Sequence, residues 1–363
     1  SNLTFGAQYM NNDLHRRQQG LGTTGTDYDL SLVKPGWGRD IHFKTKNIAL
    51  FAENSFKIFK DLTANIGFRM ESGESRMSGS IVYYPTEKIP VLISHQFSLL
   101  GGSFSYKPLE FVEFYGGFSQ AYRPMIFKDL VPIDAYERVD PNIKDAHGYN
   151  AEFGCRGNWK FLHWDLTGFA LQYKNRFGNL VKFETDGSFY TYKTNIGNSF
   201  TKGLEMLVQG RWMLDHKVEL SLFSSTAVMD AVYTSGVVKS GNNNIEIKGN
   251  KIESAPELVS RNGLQIRYNK ISFSALLSYT GESFADALNT VTPSANGAVG
   301  LVPSYTLIDL NASYIFCKNF EIKASLNNLA NKQYFTKRPL FYPGPGVWPS
   351  DGRNGTVSII IRM

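Results

Sequence analysis

The chain has 363 residues, a formal net charge of +6, 33 glycines, 14% aromatic and only 19% charged residues. That length exceeds one ordinary soluble domain unless the architecture is a large β structure, and no apolar run reaches the ~18 residues of a transmembrane helix. Lysines and arginines are scattered among acids with no basic block or nucleic-acid motif, which excludes nucleic acid as the expected partner.

Ser1-Asn2-Leu3-Thr4 opens the chain without the basic and apolar regions of a signal peptide, so it reads as processed or as a piece of something longer. Strands are expected near 3–10, 43–58, 62–71, 95–106, 111–123, 147–157, 162–174, 200–213, 218–232, 257–268, 271–284, 304–316, 320–331 and 355–363. Strict alternation supports them: Leu62, Ala64, Ile66, Phe68 and Met70 face one way, Arg69 and Glu71 the other. Helices would need apolar spacings of three and four, which these segments lack. Two cysteines, Cys155 in a strand and Cys317 in a turn, are too few for a disulfide framework and read as free thiols.

Connections sort into two sets. Phe59-Lys60-Asp61, 107–110, 158–161, 214–217, Asn269-Lys270 and 317–319 are short. The others, 11–40, 72–94, 124–146, 175–199, 233–256, 285–302 and 332–353, are long and rich in Gly, Asn, Asp, Ser and Pro. Short and long alternate strictly, which puts every tight turn on one rim of an up-and-down sheet and every long loop on the other. Short periplasmic turns and long extracellular loops are the pattern of outer-membrane barrels. The final strand, with Val357, Ile359, Ile361 and Met363 on one face, suits a barrel that needs its C-terminus to close.

Several motifs carry a resemblance. Asn327 to Phe335, Gly344-Pro345-Gly346 and Gly352-Arg353-Asn354 before a terminal strand are similar to the end of a TonB-dependent outer-membrane receptor, of the ferric-citrate/siderophore type found in Bacteroidetes-like bacteria. Gly117 to Pro124 resembles that family's aromatic-Arg-Pro box, and Val139-Asp140-Pro141-Asn142-Ile143 the box that follows. Gly203-Leu204-Glu205, the stretch from Ala255 to Glu282, and Asp286 to Thr290 also match. Where the family usually ends on an aromatic residue, this chain ends on Met363.

The resemblance implies an all-β, transmembrane antiparallel up-and-down barrel, with residues 1–363 supplying about fourteen strands of a 22-stranded wall and no plug domain. It also implies the partners: the N-terminal half of the same receptor, a TonB-type energy-coupling complex acting through the missing plug, a ferric chelate, and lipopolysaccharide with the outer membrane around it. Haem receptors place a histidine between the two boxes, and residues 125–138 contain none, so haem is disfavoured. No protein-bound cofactor is expected, iron being a chelated substrate.

The six histidines show no H-E-x-x-H spacing and there is no G-x-S-x-G elbow, so an enzyme is not expected. Basic and aromatic residues of the long loops suit an anionic chelate, since a guanidinium binds carboxylates as a planar fork. Arg123, Arg138, Arg338, Arg353, Tyr122 and Trp348 are the candidate ligand-binding residues. Two rival readings of them are that Arg123 packs against the plug or an acidic partner in the lumen, and that the loop cations meet lipopolysaccharide phosphates or solvent. A porin-like channel and a loop-displaying adhesin or barrel enzyme are the alternatives to an uptake receptor.

Overall fold

The computed structural model describes residues 1–18, 38–83, 85–88, 92–340 and 344–362, the side chains of Gln18, Lys128 and Leu130 excepted. Met363, which ends the terminal strand expected above, lies outside the described residues, as do residues 19–37 of the long connection 11–40.

Fourteen strands follow one another as hydrogen-bonded neighbours in chain order. They are β1 (Asn2–Gln18), β2 (Arg39–Phe59), β3 (Leu62–Ile81), β4 (Leu92–Leu109), β5 (Val112–Arg123), β6 (Ala146–Trp159) and β7 (Leu162–Phe183). Then come β8 (Phe189–Asp215), β9 (Val218–Ser240), β10 (Leu258–Tyr268), β11 (Ile271–Thr280), β12 (Tyr305–Cys317), β13 (Phe320–Asn327) and β14 (Asn354–Ile361). Every neighbouring pair on this path is antiparallel. β1 and β14 each have one neighbour, so the described residues form an open sheet.

Register joins the alternating faces into two continuous surfaces. The pairs Leu50↔Met70, Phe68↔Leu100, Phe118↔Ala151, Leu166↔Met206, Leu222↔Leu264, Ile266↔Phe273, Leu277↔Ile308 and Ala324↔Val357 all fall on one of them. That surface is bare: Ile66 is 58%, Leu204 67% and Val357 73% exposed. The other surface carries ion pairs, among them Arg69–Glu71, Arg156–Glu113 at 2.8 Å and Arg362–Glu321 at 2.7 Å. An apolar exterior with a polar interior is the arrangement of a membrane barrel, opposite to that of a soluble one. Near the short turns an aromatic belt is built from Phe111 with Trp159 (6.4 Å between centroids) and Phe161 with Trp212 (5.2 Å).

Several strands run further outward than alternation indicates. β7 and β8 stay paired out to Phe183↔Phe189, so most of the expected loop 175–199 is ladder. β1, β3 and β9 also extend, to Gln18, Ile81 and Ser240, whereas β11 and β13 stop short at Thr280 and Asn327. Above a membrane the ladder satisfies backbone N–H and C=O groups as well as before, but no hydrocarbon enforces an apolar face, so alternation fades while pairing continues. Cys317 ends β12 rather than sitting in the turn, and both cysteines are free.

The connection 124–146 folds inward. It holds a short helix, Phe127–Leu130, and a strand, Glu137–Val139, that pairs parallel to β8 at Thr191–Lys193. Val131 is buried with Ile41, Phe43, Met77 and Ile81 of the β2–β3 hairpin, and Phe127 stacks on Phe43 at 4.1 Å. Ile143 is buried against Ile93, with Met125, Val139 and Phe177 packed around them. Among the described residues, most of the fully buried apolar side chains lie here, in the outer extension, and not within the membrane wall.

Candidate functional site

The outward parts of β7, β8 and β9 frame a cleft of about 610 Å³, to which two other loops contribute Ala287 and Leu340. Arg176 is its central cation. The bulge that places it shows as register shifts between Tyr173 and Phe177, next to Asn175 at φ 57. The guanidinium lies 5.3 Å from the Tyr173 ring centre and 5.2 Å from that of Tyr233. It donates to Ser199 Oγ at 3.2 Å and pairs with Glu253 at 3.5 Å.

Tyr233 fixes this group from beneath. It is 2% exposed, and its hydroxyl donates to Glu253 Oε2 at 2.7 Å. Burial and that carboxylate push the phenol well above its usual range, so it stays a donor. Asn179 and Lys239 complete the polar lining, Lys239 donating to Thr191 Oγ1 at 2.7 Å. A planar cation held between two aromatic faces beside hydrogen-bonding groups is suited to anionic or conjugated ligands.

The sequence-derived candidates have mostly internal partners. Arg123 makes two 3.1 Å hydrogen bonds to the Asp129 carboxylate and lies 4.5 Å over Phe177, so it meets an acidic partner. Arg138 pairs with Glu184 and covers Tyr190 at 4.2 Å. Arg338 donates to the carbonyls of Leu301 (3.0 Å) and Gly297 (2.7 Å), tying together the loops before β12 and before β14. Tyr122 donates to Asp145 and stacks on Phe97 at 3.6 Å.

Arg353 and Trp348 differ from these. Both are exposed; the Lys337 ammonium lies 5.9 Å from the Trp348 ring centre, and the Arg353 guanidinium makes no hydrogen bond or ion pair among the described residues. None of the six lines the cleft; Arg123 touches it only through Phe177, a lining residue beneath its guanidinium. Arg176, Tyr233, Glu253 and Lys239 escape a sequence reading because a bulge and two long connections bring them together. The one local signal is the aromatic-flanked run Tyr173-Lys174-Asn175-Arg176-Phe177.

Among the described residues no group of three or more His, Cys, Asp or Glu is arranged to hold a metal ion. At the outer end of β1 and β2, His15 and His42 stack at 3.9 Å and face Asp40 and Asp13.

Comparison with known proteins follows the same lines. Residues 1–329 match the family described as TonB dependent receptor-like, beta-barrel, and the chain belongs to that family. Over 99% of its length it superposes on 51% of the unliganded ferric citrate transporter FecA, with a TM-score of 0.76 and 18% identity. Similar figures hold for the siderophore receptor PiuA from Acinetobacter baumannii: TM-score 0.68, 16% identity, 99% of this chain and 52% of that one. A curated relative, the vitamin B12 transporter BtuB of Vibrio vulnificus (strain YJ016), is 22% identical over 260 residues, 70% of this chain and 36% of that protein. The chain thus spans about half of these solved structures and about a third of the curated relative. The family is one of bacterial outer-membrane barrels, and the relatives named here are receptors and transporters.

Proposed function

We propose that this chain forms the integral wall and outer vestibule of an outer-membrane uptake receptor for an anionic ferric chelate, ferric citrate or a siderophore. A TonB-type complex drives uptake through a plug domain outside these residues, with the N-terminal half of the receptor as the other part of the wall. The observation that carries this reading is Arg176, held between Tyr173 and Tyr233 at the mouth of the polar-lined surface. An anion approaching the cleft meets a fixed guanidinium whose position is already set, so little ordering remains to oppose binding. Apolar parts of a chelate have aromatic faces to cover, and the walls focus the field.

Isothermal titration of the detergent-solubilised receptor with ferric citrate, a siderophore panel and cobalamin tests the reading. Binding of one ferric chelate, weakened about tenfold or more by Arg176→Ala and weakened by salt, is the expected result. Binding of cobalamin alone, without salt dependence, overturns the anionic-chelate assignment, as does an Arg176→Ala variant that binds the chelate unchanged.

A further inference from the structure

Of the described residues that line the cleft, Glu253 alone is acidic. A carboxylate in a cleft built for anions repels part of what the neighbouring cations attract, so its presence there needs a reason. Its backbone is fixed on both sides. The Ile252 N–H donates to the Ala231 carbonyl and the Ser254 N–H to that of Phe284, each at 2.9 Å.

The two oxygens of Glu253 differ. Oε2 accepts from the Tyr233 hydroxyl at 2.7 Å. Oε1 stands 3.5 Å from the Arg176 guanidinium, an ion-pair distance, and accepts no hydrogen bond among the described residues. With its side chain 35% exposed, Glu253 is open to the cleft. Carboxylates that support the structure nearby are bonded through both oxygens. Arg123 donates to both oxygens of Asp129, Thr194 and the Asn142 N–H to Asp140, and Tyr122 and the Met125 N–H to Asp145. Glu253 thus keeps one fixed acceptor in reserve.

The cations divide in a similar way. Arg176 is already opposed by Glu253. Lys239 donates to Thr191 Oγ1 at 2.7 Å and makes no ion pair among the described residues. A chelate whose surface offers only acceptors is drawn to Lys239 and repelled by Glu253. One with an N–H or O–H beside its anionic group satisfies both, the donor reaching Oε1 and the anion Lys239 and Arg176. Like charge and an unpaired acceptor are the two ways in which a polar site rejects a wrong ligand.

We propose that Glu253 sets the selectivity of the cleft, favouring an anionic chelate with an amide N–H or hydroxyl beside its charge over one that carries acceptors alone. The inference rests on the chelate reading above and narrows it to ligands of that kind, Arg176 supplying affinity and Glu253 discrimination.

The test titrates the full-length receptor in detergent with two ligands. One is ferric rhizoferrin, an anionic chelate with amide N–H groups, and the other is the same chelate methylated at its amide nitrogens. The parent is expected to bind the N–H form about tenfold or more tighter. Glu253→Gln keeps the shape and the acceptor for Tyr233 but removes the charge. It should cut the preference to about twofold and bind the methylated chelate more tightly than the parent does. Tyr233→Phe loosens Arg176 but leaves the carboxylate, so both affinities should fall with their ratio kept. Equal affinity of the parent for the two chelates overturns the inference and requires no variant. So does a Glu253→Gln receptor that loses affinity for both by one factor, the outcome of a purely structural role. A parent that binds other ferric chelates but neither of these overturns this inference and leaves the receptor reading standing. One that binds no ferric chelate overturns both.

Discussion

Tyr233 shows how a single buried residue can set a ligand-facing one. Its hydroxyl holds Glu253, and Glu253 and the ring together hold Arg176. Tyr233→Phe removes a hydrogen bond to a charged acceptor and leaves a carboxylate oxygen without that donor. The expected cost is about 1.5–3 kcal/mol in thermal or denaturant unfolding, together with weaker ligand binding. Unchanged unfolding alongside unchanged affinity would show that Arg176 is positioned by its strand alone. Arg123 teaches the converse lesson: a conspicuous cation in a family box is engaged by Asp129 and supports the loop that follows it.

Among the elements, the connection 124–146 behaves as a docked cap held by its own core and by Asp140. That carboxylate accepts from Thr194 Oγ1 at 2.6 Å and from the Asn142 N–H at 2.8 Å. Burial opposes its charge, yet the hydrogen bonds from Thr194, Asn142 and Tyr192 hold it below the ordinary carboxylate value of 3.8. Burial and the same contact push the Tyr192 phenol up from 10.0 to about 12. The signs differ. Asp140 stabilises docking fully above its ordinary pKa and loses that contribution as pH falls through the lowered one. Tyr192 contributes fully below its ordinary pKa and ceases to as pH rises through the raised one. The hydrogen-exchange protection factors of residues 124–146 should therefore change little between about pH 4 and 10 and fall outside that window. Opening centred near pH 7 would mean that other groups hold the cap.

At the scale of the whole molecule, the sheet has one face for lipid and one for water, and a side chain's face decides its tolerance. Ile66 is 58% exposed on the apolar face, a few residues from the inner turn at Lys60-Asp61, and so lies towards the middle of the band. Ile66→Arg should cost about 2–4 kcal/mol in unfolding from lipid vesicles. The same change at Asn65, whose amide donates to Ser103 on the polar face, should be milder. A cost at Asn65 equal to or above that at Ile66 would reverse the assignment of the faces.

Local chemistry was enough to identify the strands, their order and their two faces, because period-two alternation and the short–long rhythm of connections are written residue by residue. The pair Ile66 and Arg69, on opposite faces as alternation requires, and the unbroken path from β1 to β14 follow from that pattern. Tertiary structure alone decided where the ladders end, how the connection 124–146 docks, and which cations have partners. Asp129 and Glu184 engage Arg123 and Arg138, and a bulge at Asn175 turns Arg176 towards Tyr233 and Glu253, both distant in the chain. Such contacts depend on where loops of no regular period come to rest above the membrane, and no spacing along the chain encodes that.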